Sequence, residues 1–306
     1  MNAKELISPI KQRMERLRGL TVTEIKYLGG GSYGFAFFVT YEDGRVEVVK
    51  GFRVAGMNRE EACALELLRK ASPLKVPEVY DVLDIADGCP VELLAMERID
   101  GVNALSSALF ILKSRKKKRR FADTVTDALE KIHETKGTAY GFLNGKGYST
   151  WREFYTTEIL SPTYAAAKAL ACEGKLKASI MSELERGIGK LDGILSEEPV
   201  FPVLLHGDLN VLNIMTDKVS FVPTGIIDPF NAMWGDKEYD LFQLNSLTGP
   251  YYRLFDTYLK KFKTSPTVRA KCAFYALVNE ILCYAKSGWK SNAMFRRIVK
   301  KCKRTF

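Results

Sequence analysis

Long apolar runs are missing from this chain of 306 residues. Runs such as residues 35–39 fall far short of the 18 or more that a membrane-spanning helix needs. The first twenty residues lack the unbroken apolar core of a secretory signal and read as an amphipathic helix. C-x-x-C pairs are absent too. The six cysteines (Cys63, Cys89, Cys172, Cys272, Cys283, Cys302) are spread through apolar segments, as expected of free, buried thiols in a cytoplasmic protein. Histidine is scarce. With only His133 and His206, a histidine-rich metal site or a Ser–His hydrolase built on other histidines is not expected. His133 lies four residues beyond Leu129 on the apolar side of its helix and is expected to be a packed core histidine. What remains is ordinary globular composition, 46% hydrophobic and 27% charged, in a chain long enough for about two domains.

The net charge of +10 sits in two short stretches. Residues 113–120 (KSRKKKRR) hold seven cations and no acid, and residues 294–306 hold six more: Arg296, Arg297, Lys300, Lys301, Lys303 and Arg304. The rest of the chain is therefore slightly acidic. A charge run on a helix is ordinarily a solvated face, and no aromatics interleave within KSRKKKRR to stack bases. No nucleic-acid partner is expected.

The pattern changes character near residue 100. Before it, strand-like runs dominate: 21–28 and 35–41 flank a glycine loop, 45–52 follows the turn Glu42-Asp43-Gly44, and 79–85 and 91–96 form a further pair. A helix from Asn58 to before Pro73 carries Ala62, Leu65 and Leu68 at helical spacing. Together these predict a five-strand meander with one inserted helix. After Gly101 helical patterns take over, at 123–136, 150–171, 175–195, 236–247, 251–262 and 266–286, interrupted by apolar, strand-like residues 203–227. The expectation is an α+β, bilobal chain: a small nucleotide-binding lobe over 1–97 and a larger, mainly helical lobe over 98–306.

Three motifs need one another. Gly29, Gly31 and Gly34, with Ser32 between, satisfy G-x-G-x-x-G. A dinucleotide loop must open a helix, but this one opens into the strand FAFFVTY, which returns as VEVVK. A glycine loop inside a hairpin is instead the phosphate-covering lid of a kinase-like site; a merely tight hairpin is the plainer reading. Lys50 ends VEVVK, where its amine can reach nucleotide phosphates if a carboxylate of the next helix holds it. Glu61, on the face of Leu65 and Leu68, is the candidate. Glu60 and Glu66 compete, and the spacing from Asn58 to Glu61 also suits a capping box. The third motif is His206-Gly207-Asp208-Leu209-Asn210-Val211-Leu212-Asn213, followed by Gly225-Ile226-Ile227-Asp228-Pro229. An aspartate, an asparagine five residues on, and a second aspartate after an apolar strand match the kinase catalytic constellation. Asp208 would take the proton of an attacking hydroxyl, and Asn213 and Asp228 would offer hard oxygens to Mg2+.

On these residues the sequence resembles the aminoglycoside phosphotransferase superfamily, the small-molecule branch of the protein-kinase-like fold, from about residue 21 to 289. Glu61-Ala-Cys-Ala-Leu65 resembles its lysine-pairing helix. Met96-Glu-Arg-Ile-Asp-Gly101 resembles its hinge, and Ile227-Asp228 followed by Gly235-Asp236 and Asp240-Leu241 resembles the rest of its signature. Within it, the chain is most similar to the fructosamine kinases, through Tyr140-Gly-Phe142, Trp151-Arg-Glu-Phe-Tyr155, and Arg269 with Tyr275-Ala-Leu-Val-Asn-Glu280. Asn210 departs from the tryptophan usual there. The resemblance implies ATP and Mg2+ as cofactors, adenine held by the Glu97 carbonyl and the Ile99 amide, Asp240 bracing the catalytic loop, and His206 orienting it.

The implied function is transfer of the γ-phosphoryl of ATP to a hydroxyl of a sugar, amino sugar or related metabolite. Its acceptor pocket is expected from the helices between Gly101 and Pro202 and from the stretch after Asp228. Trp151, Tyr155 and Trp234 are candidates to stack on the acceptor, and Asp236 or Glu238 to meet an amine, although an aromatic at helical spacing is more often core. The six-cation tail argues against polycationic aminoglycosides. A protein kinase is disfavoured because Pro229 follows Asp228 and Asp240 lies only twelve positions after Asp228, too near for an activation loop between them. A kinase-shaped nucleotide-binding module without turnover is the other alternative, and would be marked by loss of Lys50, Asp208, Asn213 or Asp228.

Overall fold

In the computed structural model, residues 2–31, 33–86, 88–105 and 114–306 are described. The chain starts with helix α1 (Ala3–Arg18), set by a capping box between Asn2 and Glu5 and ended by Gly19 in the left-handed region. Its stripe Leu6, Ile10 and Met14 is fully buried against one face of a sheet, among Phe35, Phe37, Val39 and Val49. The sheet comprises β1 (Val22–Gly30), β2 (Gly34–Tyr41), β3 (Val46–Phe52), β4 (Val79–Leu83) and β5 (Glu92–Glu97). Alternate residues of its strands, Leu94 and Met96 among them, point to the opposite face, where helix α2 (Met57–Ala71) packs Ala62, Leu65 and Leu68.

The five strands and their antiparallel pairing agree with the sequence pattern, but a meander does not form. The order is β1-β2-β3-β5-β4. Helix α2 carries the chain from β3 past the adjacent position, so β4 enters at the far edge and β5 folds back between β3 and β4.

Beyond Glu97 the chain crosses to the helical half. Short β6 (Val102–Asn103) pairs with β9 (Ile214–Thr216), which also pairs β10 (Pro223–Ile226). A second small sheet joins β7 (Gly141–Phe142), β11 (Met233–Gly235) and β8 (Val203–Leu205). The Ile226 amide donates to the Lys75 carbonyl at 2.9 Å, tying the two halves together. Helix α3 (Arg115–His133) is longer than expected: residues 115–120 of the basic run form its first turns, capped by Ser114. The single helix expected over 150–171 divides into α4 (Trp151–Phe154), a π-helical turn Tyr155–Leu160, and α5 (Ser161–Cys172). Helices α6 (Ala178–Gly189), α7 (Leu191–Ile194), α8 (Lys237–Leu244), α9 (Gly249–Tyr252), α10 (Leu254–Lys261), α11 (Val268–Ser287) and α12 (Asn292–Thr305) complete the chain. All six cysteines are free, but only Cys89, Cys272 and Cys302 are buried; Cys63 is half-buried, and Cys172 and Cys283 are exposed. Among the described residues, no helix is long and apolar enough to cross a membrane.

Candidate active site

Strand β3 delivers Lys50 into the crevice between the two halves. Its Nζ lies 2.5 Å from Glu61 Oε1 on α2 and 2.8 Å from Asp228 Oδ1 on the loop after β10. Burial works against the ammonium charge, but Asp228 and Glu61 together outweigh it and hold the amine protonated. Burial lifts the Glu61 carboxyl in spite of Lys50, whereas Lys50 holds Asp228 below its ordinary value. The capping-box alternative for Glu61 does not form. Gly56 is the N-cap of α2, and Asn58 turns inward to donate to the Leu83 carbonyl at 3.0 Å.

The glycine loop covers this crevice. An added Cβ at Gly31 would meet nothing within 4 Å, so that stretch of backbone faces open space, whereas one at Gly34 would strike the Gly51 carbonyl at 2.4 Å. Gly34 is thus required by the β2–β3 approach. Ser32 lies outside the described residues. Below the loop, a cavity of 380 Å³ is lined by Gly29, Lys50, Met96, Glu97, Ile99 and Asp228 among others. No acceptor among the described residues takes the Ile99 amide, whereas the Glu97 side chain turns to Lys75 at 2.5 Å.

The loop between β8 and β9 carries His206 to Asn213. Its geometry is set by Asp240 on α8, which is fully buried and accepts from the His206 amide at 2.9 Å and the Gly207 amide at 2.8 Å. Gly207 is obligatory twice over: its φ is +79°, and a Cβ there would sit 2.4 Å from the Phe230 and Asn231 carbonyls. His206 is buried, which lowers its basicity and keeps the ring neutral; its Nδ1 accepts from the Asp208 amide at 3.3 Å. The Asp208 carboxylate receives Asn210 Nδ2 at 2.8 Å and Asn213 Nδ2 at 3.0 Å. Burial nevertheless lifts Asp208 to about 7, with the Asp228 charge assisting.

These residues fit a magnesium ion. The hydrogen bonds of Asn213 engage its amide nitrogen, to the Asp208 carbonyl at 2.8 Å and the carboxylate at 3.0 Å, and so leave its Oδ1 for a cation. Asp228 has φ +60°, a conformation that aims its 49% exposed carboxylate into the crevice. One amide oxygen and one carboxylate, completed by water and phosphate oxygens, are a donor set Mg2+ accepts. Among the described residues, no group of three or more His, Cys, Asp or Glu offers a metal site made of protein alone.

A second cavity, of 320 Å³, opens beside Asp208 and Asn210. Its other walls come from α8, α10, α11 and α12, all within the stretch after Asp228. Trp151, Tyr155, Trp234, Asp236 and Glu238 are not among the residues that line it. Trp151 and Tyr155 are fully buried in an aromatic cluster with Tyr239 and Tyr275, the Trp151 Nε1 donating to Tyr275 Oη at 2.8 Å. Trp234 packs against Gly137, where a Cβ would meet its ring at 2.7 Å. Asp236 and Glu238 are buried on either side of Lys271, at 2.9 and 3.0 Å, and Asp236 caps α8. Their charges are spent on one another. Sequence reasoning missed Asn210 as an orienting group for Asp208; its place two residues on, suited to an Asx turn, was the available signal. It also missed His133, whose Nε2 lies 3.1 Å from Asp240 Oδ2, so this core histidine also braces the loop.

Two lobes closing on a lysine, two aspartates and an asparagine define a protein-kinase-like phosphotransferase fold. The chain belongs to the phosphotransferase enzyme family, whose model matches residues 24–263. A probable ketoamine kinase of Pasteurella multocida is 26% identical over 243 residues, 74% of this chain and 73% of that protein. A solved candidate fructosamine-3-kinase from Thermobifida fusca superposes with a TM-score of 0.72 at 23% identity, covering 98% of this chain and 99% of its own. A thermostable mutant of aminoglycoside phosphotransferase APH(4)-Ia, solved with ADP and hygromycin B, gives 0.69 at 19% identity, covering 95% and 98%.

Proposed function

We propose that this protein is a cytoplasmic small-molecule kinase that transfers the γ-phosphoryl group of ATP to a hydroxyl of a sugar, amino sugar or related metabolite. The 1–97 lobe binds the nucleotide and the 98–306 lobe carries the catalytic and acceptor groups. The observation that carries this reading is the 2.8 Å contact of Lys50 with Asp228 across the crevice, with Glu61 behind the lysine and Asp208 at the mouth of a second cavity. Backbone at Glu97 and Ile99 receives adenine, Gly29, Gly31 and Gly34 with Ser32 cover the phosphates, and Lys50 neutralises them. Mg2+, held by Asn213 and Asp228, supplies charge stabilisation to the phosphates when bound.

Asp208 orients the acceptor hydroxyl and takes its proton. The acceptor oxygen forms a bond to the γ-phosphorus as the bond from that phosphorus to the bridging oxygen breaks, and ADP leaves with the electron pair. Such transfer depends on positioning and charge stabilisation, which His206 and Asp240 serve by fixing the loop. The test is ATP consumption over fructosamines, amino sugars, amino alcohols and aminoglycosides. Turnover is expected with at least one class and absent in Asp208→Asn, which still binds nucleotide. Nucleotide binding without turnover on any class would favour a binding module.

A further inference from the structure

The cavity beside Asp208 carries charge that phosphoryl transfer itself does not need. Arg297, Lys301 and Arg304 line it from α12. Their spacing of four and three residues places them on one helical stripe, while Phe295, Ile298 and Cys302 bury the helix against the core. No carboxylate among the described residues pairs with any of the three. Arg297 and Lys301 reach only backbone carbonyls, Leu247 at 3.4 Å and Asn245 at 3.3 Å. Lys301 is crowded: burial first, then Arg297, depress its amine to about 8. Arg269 also lines the cavity, but it pairs with Asp256 at 3.5 Å. The opposing acid, Glu280, is lifted to about 7 by burial and so offsets the cations only in part at neutral pH.

We infer that the acceptor carries an anionic group, a carboxylate or a phosphate, held by Arg297 and Lys301 with Arg304 beside them, while its hydroxyl meets Asp208. This rests on the kinase reading and narrows its substrate class to hydroxylated anions. An added anion would relieve the mutual repulsion of Lys301 and Arg297 and form charge-assisted hydrogen bonds, which are the strong ones.

The test is a binding measurement that needs no turnover. D-sorbitol, D-gluconate and D-sorbitol 6-phosphate, three six-carbon polyhydroxy chains differing in charge, are titrated calorimetrically into the full chain, with and without Mg2+ and AMP-PNP. At least one of the two anions is expected to bind tenfold or more tightly than sorbitol, and which one identifies the group. The double variant Arg297→Gln/Lys301→Gln should shrink that advantage below threefold, whereas Lys301→Arg and Asp208→Asn should keep it. Equal or undetectable binding of all three, or an advantage that survives the double variant, overturns the inference. Failure of AMP-PNP to bind would instead count against the kinase reading, because the anion titration without nucleotide stands apart from it.

Discussion

Replacing Lys50 by methionine removes one ammonium and leaves its stem packed. Two carboxylates then lose their shared partner: Glu61, with a side chain 10% exposed, and Asp228, 49% exposed. Asp228 can turn to water, so the cost falls on Glu61. A carboxylate stranded by loss of a buried partner costs about 3–5 kcal/mol if it stays ionised. It has a cheaper escape, which is to bind a proton. At pH 7.5, protonating a carboxyl whose unfolded value is 4.5 costs about 4.1 kcal/mol, which caps the loss, and the lift that burial gives Glu61 decides how much of that cap is reached. The destabilisation of Lys50→Met in metal-free buffer should therefore be about 2–3 kcal/mol at pH 7.5. The variant's Glu61 has a folded value above its unfolded one, so its stability is full at low pH and is lost as pH rises; the deficit should nearly vanish by pH 5. Adding Glu61→Gln removes the stranded charge, so the double variant should regain most of the loss and show little pH dependence. Urea unfolding of the two variants from pH 5 to 8 measures this, alongside calorimetry for ATP, whose binding should be lost in both. A loss in Lys50→Met that is the same at every pH, or a double variant no more stable than the single one, would refute the pairing as the source of the cost.

Asp240→Asn swaps an acceptor for a donor among three buried groups, so it should cost about 2–4 kcal/mol in denaturant unfolding and depress turnover while leaving the nucleotide Kd within a fewfold. Gly207→Ala forces a side chain into a left-handed φ and against two carbonyls, so a loss of about 3 kcal/mol or more is expected; a soluble, fully active variant would contradict the loop geometry. Glu280, lifted from 4.5 to about 7, contributes stability that is full below pH 4.5 and lost as pH rises through 7. Glu280→Gln should accordingly match the parent at pH 4.5 and exceed it by about 1–2 kcal/mol at pH 8 after allowance for solvent screening, as read from thermal melts at both pH values.

The parts of this molecule that follow from local pattern could be read from the sequence. Lys50 and Glu61 were placed together because one ends a strand and the other shares a helical face with Leu65 and Leu68. The order of β4 and β5 could not be read, because strand pairing over long sequence separations is decided by where α2 lands, not by any period within the strands. The π-turn Tyr155–Leu160 was equally hidden, since its apolar spacing is that of an ordinary helix. Trp151 and Tyr155 read equally as core or as stacking surfaces, because a buried aromatic and a ligand-facing aromatic leave the same mark in a sequence. The second cavity depends on α8, α11 and α12 meeting beside Asp208, a convergence of segments up to about a hundred residues apart that no single motif encodes. Its basic stripe was visible only as composition.

The legibility of the site itself has a physical cause. Its loops hold three residues with positive φ close together, Gly207, Asp228 and Asn231. For residues with a side chain that conformation costs about 1–2 kcal/mol each, and Asp and Asn tolerate it better than most. Something must over-determine such a backbone. Asp240 does so by gathering the His206 and Gly207 amides, and it is itself fixed by His133 at 3.1 Å. The chain of contacts continues from His133 Nδ1 to Tyr258 Oη at 3.4 Å, from Tyr258 to Glu130, and from Glu130 to Lys237 at 3.0 Å. The residue types at 206–213, 228 and 240 are thus demanded twice, by the chemistry proposed for them and by the backbone that must present them. A substitution that merely preserved charge or size would fail one of the two demands, which is why a short polar motif here specifies a site where most polar loop residues specify nothing.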